Sequence, residues 1–158
     1  MSKLNYTYGT IDDMEEVIAL CGKWWKDSSF YKNTEMEFLP DKGLFQGLDD
    51  QDSLFVIKGV NTLGEIKACY VASISPYHFN PGYTMATEIV WCLDEDYRKG
   101  REVFQLVTNI ELGLKSSGID IYYLNLPVEE GKEVLGDYLV KKKGFFKQDL
   151  CLMKEIRR

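Results

Sequence analysis

The sequence lacks the apolar runs that membrane insertion and export require. No stretch approaches the roughly 20 apolar residues that cross a bilayer, and the opening decapeptide MSKLNYTYGT has no apolar core of the kind found in secretory signals. We therefore expect a cytoplasmic protein without a membrane partner.

Histidine and paired cysteines are also scarce. His78 is the one histidine among 158 residues, which excludes a multi-histidine metal site. The four cysteines lie far apart along the chain, and no pair has the spacing of metal ligands. They are Cys21, Cys69, Cys92 and Cys151. We interpret them as small buried apolar residues in a reducing compartment and expect no metal cofactor.

An excess of positive charge is absent as well. The formal net charge of −6 argues against the basic face that phosphate-backbone recognition needs, so nucleic acid is not an expected partner. An acidic surface suits a cationic or neutral acceptor, and it equally serves solubility. A hydrophobic fraction of 45% and a charged fraction of 28% are typical of a globular protein, and the length predicts one domain spanning residues 1–158.

The apolar residues alternate between strand and helix periods along the whole chain. This periodicity predicts the order β-α-α-β-β-β-α-β-α-β(-β), an α/β (α+β) domain with a mixed sheet. The predicted strands are 4–8, 54–59, 65–75, 87–93 and 119–126, with one or two closing strands in 145–156. The predicted helices are 11–26, 41–48, about 102–117 and 130–143, and residues 76–82 are expected to form a loop because they contain two prolines.

One stretch, Met85–Ser117, contains a buried strand, a short basic turn and an amphipathic helix in succession. The turn carries Arg98, Lys99, Gly100 and Arg101 immediately before the helix. Unpaired backbone N–H groups and the positive end of the helix dipole converge at such a junction. The stretch therefore predicts a phosphate or pyrophosphate site.

Element order and three motifs resemble the GNAT superfamily of acetyl-CoA-dependent N-acetyltransferases. Glu88–Cys92 (Glu-Ile-Val-Trp-Cys) is similar to the corresponding strand of the histone acetyltransferase branch, and Asp94–Gly100 resembles the pyrophosphate loop of the family. Asn125 follows a strand where the family often has asparagine, and Tyr138–Phe145 ends in the family-like Lys-Lys-Gly-Phe. The resemblance implies a mostly antiparallel sheet flanked by helices, acetyl-CoA as co-substrate, and acetyl transfer to an amine of a small molecule or of a peptide or protein.

The pyrophosphate loop departs from the family pattern Gln/Arg-x-x-Gly-x-Gly/Ala. When Arg98 is the first residue of the pattern, Arg101 and Val103 replace the small residues. When Gly100 is the central glycine, Tyr97 and Glu102 are the residues that depart from the pattern. Glycine lets backbone approach a pyrophosphate closely, so binding here depends on backbone N–H groups with help from arginine.

The resemblance also implies which residues contact the cofactor. Backbone N–H groups of Trp91–Leu93 would polarise the thioester carbonyl, and the N–H groups of 98–102 would hold the pyrophosphate. The expected cofactor-binding residues are Trp91, Cys92, Leu93, Arg98, Lys99, Gly100, Arg101, Glu102 and Asn125.

Glu88 and Tyr138 are the candidate catalytic residues. A carboxylate within a mostly apolar strand has the environment of a general base, and the matching glutamate of the histone acetyltransferase branch acts as one. The alternative is that Glu88 pairs with a lysine or arginine at a sheet edge. Tyr138 is the candidate general acid or, alternatively, a packed aromatic residue, because Val140 stands where the family has its tyrosine. A nucleophilic Cys92 has no partner in the sequence to activate it.

By the same resemblance, aromatic residues at the end of the first helix and just after it form the candidate acceptor site. Trp24, Trp25 and Tyr31 would suit an amine through cation–π contacts. The alternative is that Trp25 is a core residue and Trp24 a surface residue. Two further hypotheses compete with that of an active enzyme: a catalytically inactive GNAT-fold binding or regulatory protein, and an acidic interaction protein. The second would need carboxylates clustered on one surface, whereas here they are scattered among lysines. Exposed closing strands favour a homodimer.

Overall fold

A computed structural model describes residues 3–34, 36–98, 100–126 and 133–147. The chain divides into two compact units, Met1–Tyr123 and Leu124–Arg158. No helix in the described ranges is long and apolar enough to cross a membrane.

The first unit is built on a five-stranded sheet in the order β1-β2-β3-β4-β5. The first four strands are antiparallel neighbours, and β5 is parallel to β4. Their bounds are β1 Asn5–Tyr8, β2 Leu54–Val60, β3 Ile66–Tyr77, β4 Asn80–Leu93 and β5 Ile121–Tyr122. The mixed, mostly antiparallel sheet of the predicted fold class is confirmed.

Helices connect β1 to β2 and β4 to β5. A 3-10 turn at Ile11–Asp13 leads into the first α-helix, and another at Glu95–Tyr97 follows β4. The α-helices are α1 Met14–Trp25, α2 Ser29–Asn33, α3 Lys42–Asp49, α4 Arg101–Ser116 and, in the second unit, α5 Glu133–Lys143. Helix α3 begins after Asp41, whose carboxylate accepts a hydrogen bond of 2.8 Å from the Gly43 N–H.

The two faces of the sheet have different coverings. On one face, apolar residues of α1 and α3 pack with residues of β2, β3 and β4 in a buried core. That core consists of Met14, Val17, Leu20, Cys21, Phe45, Val56, Ile66, Cys69, Val71 and Cys92. On the other face, α4 approaches closely at Gly113, where an added Cβ would lie 2.7 Å from Ile57 Cδ1 and 3.2 Å from Phe55 Cζ.

Two tyrosines of β1 fasten this strand to α4. The Tyr6 hydroxyl donates to the backbone carbonyl and to the carboxylate of Glu102, both at 3.2 Å. The Tyr8 hydroxyl donates to the Gly113 carbonyl at 3.0 Å. Because the two residues of α4 that accept these bonds, Glu102 and Gly113, lie eleven residues apart, about 16 Å at 1.5 Å per residue, the two tyrosines fix the direction of the helix across the sheet.

The predicted loop at 76–82 is wrong. β3 continues to Tyr77 and β4 begins at Asn80, so most of this segment belongs to one long hairpin. Pro76 lies past the last residue of β3 that pairs with β2, which is Ser73, and Pro81 precedes the first β4 residue that pairs with β5. Both prolines therefore sit where the strand has an open edge, and an open edge tolerates a missing N–H.

Other elements differ from the sequence predictions in extent. Helix α2 lies in a stretch that was predicted to be irregular, and β5 is two residues long instead of eight. The helical spacing of apolar residues predicts Leu44 on one side of α3 with Phe45 and Leu48, and Val134 facing inward on α5, but Leu44 and Val134 are 50% and 69% exposed. The start of the predicted last helix, at 130–132, and most of the predicted closing strands, at 148–156, lie outside the described residues, whereas 145–147 carries no strand.

Candidate active site

Strands β4 and β5 pair over a short distance. The pairs are Met85–Ile121 and Ala86–Tyr122, and the ladder is preceded by a hydrogen bond of 3.0 Å from the Asp120 N–H to the Thr84 carbonyl. β4 continues to Leu93 as the partner of β3. In the described part of the chain, the β5 side of β4 therefore carries no ladder from residue 87 onward.

A β-bulge lies in this part of β4. Val71 pairs with Val90, whereas the next residue of β3, Ala72, pairs with Glu88, so Ile89 is an extra residue in β4. Bulges bend a strand and reorient its backbone groups, and they are frequent beside active sites. Here the bulge immediately follows the candidate base Glu88.

Glu88 lies half-buried on the α4 face of the sheet. Its register partner Ala72 is on the same face as Tyr70, whose side chain is fully buried. Burial, and then the negative charge of Glu88, raise the pKa of Tyr70 above its ordinary value. Among the described residues the Tyr70 hydroxyl has no hydrogen-bond partner. The negative charge of Glu88 therefore acts on a buried phenol that stays neutral.

The segment between β4 and α4 ends in a left-handed glycine. Gly100 has φ 93° and ψ −137° and precedes the first residue of α4. A Cβ added at Gly100 would meet no atom within 4 Å, so glycine is required there by the backbone conformation rather than by crowding. Gly100 and Arg101 are exposed, which leaves the N-terminus of α4 open to an anion.

Arg98 ties this segment to the rest of the unit. Its Nε donates to the Leu93 carbonyl at 2.9 Å, and its Nη1 lies 2.8 Å from Asp27 Oδ2, just beyond α1. Guanidinium carries five N–H donors, so donors remain for an anion beside these two bonds. Lys99, also predicted to bind cofactor, lies outside the described residues.

Glu102 places a carboxylate in the first turn of α4. It accepts a hydrogen bond from Tyr6, and burial, followed by the charge of Glu102, raises the pKa of that tyrosine. The carboxylate is favourable for the helix dipole, but it opposes an incoming phosphate. Glu102 is thus a predicted cofactor residue whose side chain is engaged with β1.

The fold has many counterparts among solved structures, although by sequence the chain matches no protein-family model and no curated protein. An aminoglycoside acetyltransferase from an uncultured soil metagenomic sample, in complex with sisomicin, is 12% identical, has a TM-score of 0.70 and covers 98% of this chain and 97% of that one. The glucosamine-6-phosphate N-acetyltransferase of Arabidopsis thaliana is 15% identical with a TM-score of 0.68, covering 99% and 100%. An acetyltransferase of Trypanosoma brucei is 16% identical with a TM-score of 0.66, covering 97% and 99%.

The chain has the GNAT fold. The resemblance drawn from the sequence is confirmed at the level of architecture. The described residues of the range 88–103 lie along the edge of β4 beyond its short β5 ladder and at the start of α4.

The predicted acceptor residues are distributed between core and surface. Trp24 is half-buried against the core on the α1 face, and Trp25 packs on Phe38 with ring centroids 5.8 Å apart. Tyr31 is 54% exposed. The three do not form one exposed aromatic cluster, and Tyr31 is the one that is mainly available to solvent.

Two predicted site residues belong to the second unit of the GNAT fold. Asn125 is exposed in the segment that follows β5, and Tyr138 is half-buried on α5. Their predicted roles as a cofactor contact and as the general acid stay predictions.

Sequence reasoning missed a cluster of three cysteines. Cys21, Cys69 and Cys92 meet in the core, although they are 23 to 71 residues apart in the chain. Contacts with the other two thiols and complete burial raise the pKa of Cys69 well above its ordinary value. Cys92 is 3% exposed, so its side chain is not available to a cofactor, and its predicted backbone contact stays a prediction. The sequence predicts that Cys69 and Cys92 lie in strands, but it does not show that the two residues are direct partners in the pairing of β3 with β4.

Proposed function

We propose that the protein is an N-acetyltransferase that transfers the acetyl group of acetyl-CoA to an amine of a small molecule. The observation that carries this proposal is the placement of Glu88. It precedes a bulge on the strand edge that β5 leaves open, and the same strand leads into an exposed helix N-terminus.

The start of α4 fits the pyrophosphate of acetyl-CoA. Its first N–H groups have no intrahelical partners, Gly100 leaves open space where a side chain would stand, and Arg101 is exposed. Arg98 adds the guanidinium N–H groups that are not used in its bonds to Leu93 and Asp27, and these can donate to the pyrophosphate. Charge-assisted bonds of this type are about twice as strong as neutral ones, and they offset the repulsion from Glu102.

The thioester would lie along the open edge of β4. Successive N–H groups of a strand point to opposite edges, so Trp91–Leu93 offers one or two donors to this edge while the others face β3. A donor aimed at the thioester oxygen stabilises the negative charge that this oxygen gains during transfer.

Glu88 is the proposed general base. It takes a proton from the ammonium form of the acceptor, directly or through one water, so that the amine lone pair can attack the acetyl carbon. The departing thiolate takes up a proton as it leaves.

The acceptor is proposed to be a cationic amine. The net charge of −6 attracts cations over the protein surface. Two of the similar structures are named for amino-sugar substrates, an aminoglycoside acetyltransferase and a glucosamine-6-phosphate N-acetyltransferase. Aminoglycosides, amino sugars and polyamines are therefore the first acceptors to assay, with short peptides as the comparison set.

Calorimetric titration with acetyl-CoA, followed by an assay of released thiol with the acceptor panel, tests the proposal. Glu88→Gln should lower kcat/KM by about 10² to 10⁴ and leave the acetyl-CoA Kd nearly unchanged. Glu65→Gln, an exposed carboxylate in the β2–β3 turn, is the matched control and should retain full turnover. Absence of binding at millimolar acetyl-CoA overturns the proposal, and equal turnover by Glu88→Gln removes this residue from the mechanism.

A further inference from the structure

Three thiols from separate elements converge on one point of the core. Cys21 lies on α1, and Cys69 and Cys92 are direct register partners on β3 and β4. The Sγ atoms of Cys69 and Cys92 are 3.5 Å apart, those of Cys21 and Cys92 are 3.7 Å apart, and all three lie within 4.8 Å of one another. Their residues are 6%, 0% and 3% exposed in chain order.

The surroundings of this cysteine triad are apolar. The core residues packed with it include Met14, Leu20, Phe45 and Val71. Within the described ranges no carboxylate or imidazole joins the three sulfurs as a further ligand. The triad is therefore a sulfur-only pocket that excludes water.

The sulfur spacing matches a ligand set around one metal ion. With metal–sulfur bonds of about 2.3 Å, three sulfurs in a plane around an ion would be about 4.0 Å apart, and in a tetrahedral arrangement about 3.8 Å. The separations of 3.5 and 3.7 Å are about 0.5 and 0.3 Å below the planar value, and the third separation is within 4.8 Å. Binding therefore requires the sulfurs to move apart by a few tenths of an ångström.

We propose that Cys21, Cys69 and Cys92 form a binding site for one soft, closed-shell metal ion, Cu(I). Thiolates select soft ions such as Cu(I) and Zn(II). Structural Zn(II) sites almost always have four protein ligands, whereas three-coordinate sulfur ligation is ordinary for Cu(I). Among the described residues no histidine, aspartate or glutamate joins the three sulfurs as a fourth ligand, which favours Cu(I).

Binding exchanges protons for the ion. Each thiol that coordinates as thiolate forms a metal–sulfur bond and releases its proton to solvent. No electron is transferred, because the ion binds and stays as Cu(I).

The thiol of Cys92 and the carboxylate of Glu88 lie on opposite faces of the sheet, although the Cys92 backbone belongs to the strand edge proposed for the thioester. Cys92 opposes Cys69 on the α1 face of the sheet, whereas Glu88 opposes Ala72 on the α4 face. The ion would cross-link α1 to two central strands and so stabilise the folded chain according to its concentration. An inactive acetyltransferase could still bind Cu(I), and the reverse also holds.

Competition with a colorimetric Cu(I) chelator, under anaerobic reducing conditions, tests the proposal on the full chain. Four proteins are compared: wild type, Cys21→Ala, Cys92→Ala, and Cys151→Ala as the control that keeps all three ligands. Wild type and Cys151→Ala should each retain one Cu(I) per chain, and each of the other two should bind at least about tenfold more weakly. A parallel titration with Zn(II) should show weaker binding than that of Cu(I).

Equal competition by the chelator in all four proteins overturns the proposal, as does tighter binding of Zn(II). If an alanine variant does not fold by circular dichroism, X-ray absorption of the wild-type copper complex decides the question. A shell of three sulfurs near 2.3 Å supports the site, and a nitrogen or oxygen shell overturns it.

Discussion

Arg98 and Asp27 form an ion pair of 2.8 Å that joins the segment after β4 to the end of α1. The same guanidinium holds the Leu93 carbonyl, so one side chain links the proposed cofactor turn to the helix that carries Trp24 and Trp25. Asp27 is 60% exposed, and such pairs contribute little to stability. The ion pair therefore contributes more to holding the turn after β4 in one conformation than to the stability of the fold.

Arg98→Ala should weaken acetyl-CoA binding. It removes the bond to Leu93 and a positive charge beside α4, at a cost of about 1.5 to 3 kcal/mol for charged hydrogen bonds, which corresponds to roughly a ten- to hundredfold rise in Kd. Asp27→Asn leaves Arg98 in place and should alter the Kd by less than about threefold. Calorimetric titration of both variants measures the difference, and equal Kd values for wild type and Arg98→Ala contradict the assignment.

Gly100→Ala should strain the turn before α4. A non-glycine residue in the left-handed region costs about 1–2 kcal/mol, and Gly100 has φ 93°. Gly118→Ala, at φ 71° just after the same helix, is the matched control. Both variants should lower the Tm by several degrees, at about 2–4 °C per kcal/mol, but only Gly100→Ala should raise the acetyl-CoA Kd. A rise in Kd of the same size for both would mean that the effect is global.

Glu102→Gln should tighten acetyl-CoA binding a few-fold, because it removes a negative charge from the first turn of α4. Glu111→Gln makes the same charge change nine residues further along the helix. That distance is about 14 Å, beyond the screening length of roughly 8 Å at physiological ionic strength, so its Kd should not change. Titrations at low and high salt check the origin of the effect, which should diminish with salt. An unchanged Kd for Glu102→Gln would mean that the phosphates bind away from this helix.

Asp13 should give stability a pH dependence in the acid range. Partial burial raises the pKa of Asp13, but the hydrogen bonds from Lys58 and from the Thr10 backbone lower it by more, so the net shift of the pKa is downward. The carboxylate therefore stabilises the fold fully above its unfolded-state pKa of about 3.9, and this contribution is lost as pH falls through the lower folded-state pKa.

Asp13→Asn should accordingly lower the free energy of unfolding by about 1 kcal/mol near neutral pH, and the difference from wild type should narrow below about pH 4. Thermal unfolding followed by circular dichroism over a pH series measures it. Asp12→Asn, at the exposed neighbouring position, should behave as wild type. A difference that persists at the same size into strong acid would exclude the ionisation of Asp13 as its source.

The periodicity of the sequence was sufficient for most elements, since β1, β2, α1, α3 and α4 lie within a few residues of their predicted bounds. The prediction failed where the local preference of a residue differs from the structure that its place in the sheet allows. Pro76 and Pro81 predict a loop locally, but the β3–β4 hairpin extends past its neighbouring strands, where a missing N–H costs nothing.

The site was predictable in outline only. Glu88 and the basic turn are contiguous in sequence, so a motif can locate them, whereas the bulge at Ile89 is a property of pairing with β3. The engagement of Glu102 by Tyr6 and of Arg98 by Asp27 joins residues 96 and 71 positions apart. Register and long-range contacts of this kind depend on tertiary packing, which a single sequence does not specify.

The contacts of Tyr6 and Tyr8 with α4 also have a consequence for the order in which this protein folds. β1 is synthesised first, yet its strand partner β2 begins about fifty residues later and its bonds to α4 span 96 and 105 residues. Contacts of such separation form late, because the intervening chain must first be closed into a loop. During translation β1 can pair with β2 as soon as β2 has emerged, but its tyrosine hydroxyls reach α4 only after Gly113 has been synthesised. Until then this edge strand is held by only part of its contacts and is prone to intermolecular pairing.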